Sequence, residues 1–138
     1  MRHLELARDH LRRAQARLLA LDVLFEAESW ADVVRESQEA VELTLKGLLR
    51  WIGVEPPRVH DVSPVLEAER DRLPPALLAE LATLTGASRR LRRDRELAFY
   101  GADDLTPSGF YGREDAEAAR AAARTTVELV APHVSPSA

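Results

Sequence analysis

The chain has no cysteine and no asparagine, and only one methionine and one lysine, among 138 residues. Without cysteine there are no disulfides and no thiolate metal ligands. No apolar run approaches the roughly 20 residues that cross a bilayer, and nothing resembles a secretory leader, so a cytoplasmic location without membrane association is expected. Aromatic residues are 5% of the chain, so any core must be built from leucine, valine and alanine. The formal charge of −4 argues against indiscriminate nucleic-acid binding by the whole surface but leaves room for a local basic groove. His3, His10, His60 and His133 are too scattered to form a cluster with metal-ligand spacing, so no metal or cofactor is expected. What is abundant is arginine: eighteen of the nineteen basic residues. With so few thermolabile side chains, the composition is thermophile-like, although a GC-rich genome yields the same bias.

The hydrophobic pattern reads as helix throughout, with no strand signal. Leu4, Ala7, Leu11, Ala14, Leu18, Leu21 and Phe25 alternate steps of three and four, predicting a first helix with one apolar seam. Trp30, Val34, Ser37, Val41, Thr44, Leu48 and Trp51 do the same in a second, whose other face carries Arg35, Glu39, Glu42, Lys46 and Arg50. Ser29 with Asp32 marks its start, and Gly53 with Pro56-Pro57 its end. The short link between the two predicts an antiparallel hairpin. Asp61 or Ser63 can cap a short third helix closed by Leu73-Pro74-Pro75, and a fourth is expected near residues 76–99 with Leu77, Leu81, Leu84, Ser88 and Leu91 inward. Residues 101–112 read as an ordered loop held by Phe110 and Tyr111. A last helix, about 113–131, should bury Ala116, Ala119, Ala123, Val127 and Val130. The expectation is an all-α antiparallel bundle of about five helices, a single domain over 1–138 with a frayed tail from about residue 132. The apolar surface of the first and last helices exceeds what one thin bundle covers, which predicts a homodimer.

The run Ser37, Gln38, Ala40, Glu42, Leu45, Lys46, Leu48, Leu49, followed by Gly53, Pro56, Pro57, His60 and Asp61, resembles the HEPN (higher eukaryotes and prokaryotes nucleotide-binding) family. Its helices occur here in the same order. The resemblance implies a helical bundle like the substrate-binding half of a nucleotidyltransferase, often partnered by a minimal nucleotidyltransferase in a toxin-antitoxin-like pair. It also implies a role in binding nucleotide or substrate. Nuclease members carry an arginine followed four to six residues later by a histidine, two copies meeting across a dimer. Here no arginine precedes His10, His60 or His133 at that spacing, and in Arg95-Glu-Leu-Ala-Phe-Tyr100 a tyrosine stands where the histidine would be. With an ordinary pKa of about 10, tyrosine is a poor base at neutral pH. Arg95 and Tyr100 are therefore at most a catalytic relic, and the expectation leans away from an enzyme.

The remaining chemistry lies in arginines 89, 90, 92, 93 and 95 of the fourth helix. Guanidinium forks suit phosphate oxygens, so Arg89, Arg92, Arg93 and Arg95, with His60, are candidate nucleotide or phosphate ligands. The simpler reading is a solvated face balanced by Asp94, Glu96, Asp103 and Asp104. Three functions stay open: a non-catalytic nucleotide- or substrate-binding module, a ribonuclease toxin or its relic acting on RNA through the arginine-rich helix, and a dimeric scaffold. For His60-Asp61 the plain alternative is a loop anchor and helix cap. Trp51 reads as a core plug or interface anchor.

Overall fold

The computed structural model describes the backbone of residues 2–100 and 106–134, and the side chains of these except 2, 92–100, 107 and 108. Every regular element among them is helical: α1 (Arg2–Glu26), α2 (Trp30–Trp51), α3 (Ser63–Ala68), a 3₁₀ turn (Arg70–Arg72), α4 (Pro75–Leu78), α5 (Leu81–Tyr100), α6 (Pro107–Phe110) and α7 (Arg113–Val134). The apolar seams emerge as expected: Ala7, Leu11, Ala14, Leu21 and Phe25 of α1 and Ala116, Ala119, Ala123, Val127 and Val130 of α7 are buried.

The centre of the bundle is α2, against which α1, α5 and α7 all pack. One apolar stripe cannot serve three neighbours, so Val33, Ala40, Leu45 and Leu49 are buried as well as Val34, Val41 and Leu48. The face expected to be solvated is instead half-buried, and the side chains of Glu42 and Lys46 are 12% and 16% exposed. Gly47 lies where α1 crosses closest: a methyl group there would stand 3.1 Å from both the Ala7 carbonyl oxygen and His10 Cβ.

The two long helices end alike. After α2 the Val54 N–H donates to Leu49 O (2.8 Å) and Gly53 N–H to Arg50 O (3.0 Å), with Gly53 at φ 87°. After α1 the same six-to-one and five-to-two bonds join Ser29 to Leu24 and Glu28 to Phe25, with Glu28 at φ 57°. Both are Schellman closures, which require a left-handed residue just past the helix. Ser29 makes no side-chain cap to α2; its hydroxyl donates to Asp32 at 2.6 Å. The hairpin end is sealed by α7, whose Arg113 and Arg120 guanidiniums lie 5.3 and 3.8 Å from the Phe25 ring centre, while Phe25 meets Trp30 edge-on.

Four expectations about element limits need correction. Within the expected loop 101–112, Pro107–Phe110 form α6, and residues 101–105 lie outside the described residues. The third helix is shorter, ending at Ala68 before a separate 3₁₀ turn. The fourth is two elements, because the ladder tightens at Glu80, whose N–H donates to Leu77 O rather than to a residue four back. The last continues through Pro132 to Val134, since Val134 is buried and the His133 ring lies 6.4 Å from that of the half-buried Trp51.

Candidate functional site

The chain from Gly53 to Val62 leaves α2 as a loop and returns to open α3, and two acidic side chains fix its course. Glu42 receives the Nδ1–H of His60 at 2.7 Å and the Gln38 amide at 3.1 Å on one oxygen, and the Lys46 ammonium at 2.8 Å on the other. Burial pushes the Glu42 carboxyl up, but the bonds from Lys46, His60 and Gln38 together outweigh it and hold the group below the usual glutamate range. Asp61 receives three donors on a single oxygen: the Ser63 N–H (3.0 Å) and hydroxyl (2.7 Å), and the Ser88 hydroxyl of α5 (2.8 Å). Desolvation opposes its charge, yet the Ser63 and Ser88 bonds and the nearby Arg89 guanidinium keep its carboxyl below the ordinary aspartate range. Asp61 therefore holds the start of α3 from one position before the N-cap, Val62, which makes no side-chain cap.

The consequence is that α5 is joined to the loop at the beginning of its arginine run. Ser88 bonds to Asp61, and the next residue, Arg89, pairs with Glu67 of α3. Arg90 is exposed and borders a shallow groove between α5 and α7 lined by Ala82, Gly86, Ala118 and Ala122. Of the candidate ligands, His60 and Arg89 thus come to one surface, each already holding a carboxylate. The side chains of Arg92, Arg93, Arg95 and Tyr100 lie outside the described residues. His10, on α1, is half-buried and donates from Nδ1 to Leu6 O (2.9 Å); it stands apart from this surface against Gly47. Among the described residues no group of three or more acidic or histidine side chains is placed to hold a metal ion, and no helix is long and apolar enough to cross a membrane.

Two features escaped the sequence reading. Glu42 looked like half of a solvated pair with Lys46, and its bond to His60, eighteen positions away, has no local spacing to announce it. Arg58, beside His60 on the rim of an open concavity, was hidden among eighteen arginines. Residues 7–133 match the family described as the HEPN domain. No curated protein and no solved structure matches the chain.

Proposed function

The chain belongs to the HEPN domain family, and from that premise we propose that it is a nucleotide- or substrate-binding module of the family, not a ribonuclease, working beside a minimal nucleotidyltransferase. The observation that carries this reading is the junction of α5 with the His60–Asp61 loop through Ser88 and Arg89. The Ser88–Asp61 bond sets Arg89 beside the His60–Asp61 loop, which supports reading the histidine and the start of the arginine run together. The ribonuclease alternative is disfavoured by Tyr100 at the position where nuclease members carry histidine. We assign the protein a homodimeric state, with the solvent-facing Leu19 and Val23 of α1, 72% and 70% exposed, as apolar surface left for association.

Calorimetric titration of ATP tests this. Wild type should bind, more weakly as salt rises, and Arg93→Ala and Arg95→Ala should each weaken binding roughly ten- to a hundred-fold, the effect of losing one charge-assisted contact of about 1.5–3 kcal/mol. Arg12→Ala, an exposed arginine on α1, should behave as wild type. No binding by wild type, or cleavage of single-stranded RNA without metal that is lost in Arg95→Ala and Tyr100→Phe, overturns the reading.

A further inference from the structure

The loop between α2 and α3 bounds an open concavity of about 680 Å³. It is lined by the apolar Pro57, Val59, Pro64 and Val65 and by Arg58, His60 and Asp61. Val59 is 49% exposed, so the apolar lining is open to solvent there. Two of its four residues are prolines, whose φ is set by the ring, and the loop is tied to α2 through Glu42–His60 and to α3 and α5 through Asp61. A concavity pinned in this way loses little conformational freedom when a ligand enters. An apolar lining that also holds two basic side chains matches a ligand with a flat, weakly polar body and an anionic group at one end.

Resting on the nucleotide-binding reading, we infer that this concavity receives the nucleoside monophosphate unit of the ligand, its base against Pro57, Val59, Pro64 and Val65 and its phosphate on Arg58 and His60. Glu42 is a positioning residue: by accepting the Nδ1–H of His60 it fixes the plane of the imidazole, and the doubly protonated ring donates its Nε2–H to a phosphate oxygen. Lys46 and Gln38 complete the shell of Glu42, so its carboxylate is held in place before any ligand arrives. Asp61 also borders the concavity, but one of its oxygens is occupied by three donors and its charge is offset by Arg89.

The experiment titrates AMP into the full chain by calorimetry and follows the His60 ring signals by NMR. Arg58→Ala and His60→Gln should each weaken AMP binding about tenfold or more, Arg12→Ala should leave it unchanged, and the His60 ring signals should move on saturation. Glu42→Gln should weaken AMP less than His60→Gln and alter the ring signals even without ligand; thermal melts of each variant confirm that it is folded. If AMP binds with Arg58→Ala and His60→Gln like wild type, or with the His60 signals unmoved, the inference falls and the binding-module reading stands. If neither AMP nor ATP binds wild type, both fall.

Discussion

Gly53 and Glu28 occupy the same geometric place, the left-handed residue just past a helix, and only one of them suits it. A side chain in that conformation costs about 1–2 kcal/mol, so Gly53→Ala is expected to destabilise the fold by about 1 kcal/mol. Glu28, at φ 57°, bears that strain already. Its side chain faces Arg113 at 3.8 Å, an exposed pair of little worth. Glu28→Gly should therefore stabilise the protein, by up to about 1 kcal/mol once the greater freedom of unfolded glycine is counted. Urea unfolding of the two variants should move the midpoint in opposite directions; a Glu28→Gly midpoint below wild type would show that the hairpin turn depends on the glutamate side chain.

Within the helices the same residue has opposite consequences according to what stands beside it. Gly47 in α2 lets α1 approach until a methyl group would meet the Ala7 backbone oxygen at 3.1 Å, and a backbone oxygen cannot swing aside as a side chain can. Gly86 in α5 has nothing within 4 Å of such a methyl. Gly47→Val should cost about 1–3 kcal/mol by forcing the hairpin apart, whereas Gly86→Ala should gain about 0.5–1 kcal/mol from helix propensity alone. Thermal unfolding of both variants checks this, and equal effects would mean that α1 and α2 can separate without loss.

For the whole molecule, acid stability follows from three groups that bind protons less readily when folded. His10 is lowered first by its burial, with Arg50 and Arg13 adding to the effect against the Leu6 bond and Asp9. Glu42 and Asp61 are lowered by their donors despite burial. In each case the unfolded chain takes up the proton first, so the stabilisation is complete above the unfolded pKa and is lost as pH falls through the folded value. Stability should begin to decline below about 6.5, where unfolded histidine titrates, and fall further below about 4.5 as the two carboxyls follow. Denaturant midpoints from pH 8 to 3 should show both steps, and His10→Gln should remove only the upper one. A profile that rises on acidification from pH 7 to 5 would contradict the assignment.

The faces of α1 and α7 were legible in the sequence because burial of a helix stripe depends only on spacing three and four residues apart, and Leu11, Leu21, Ala119 and Val127 fall where that spacing puts them. Gly53 was legible for the same local reason, since a left-handed closure is written in one residue. The tertiary structure alone decided that α2 would be covered by three helices, turning Glu42 from a surface charge into the half-buried anchor of His60. It also decided that Ser88, twenty-seven residues from Asp61, would tie the arginine-bearing helix to the loop. Contacts of that kind have no period along the chain: they arise where separate elements are brought together by burying their apolar faces, and the polar groups left at the seam must then find one another.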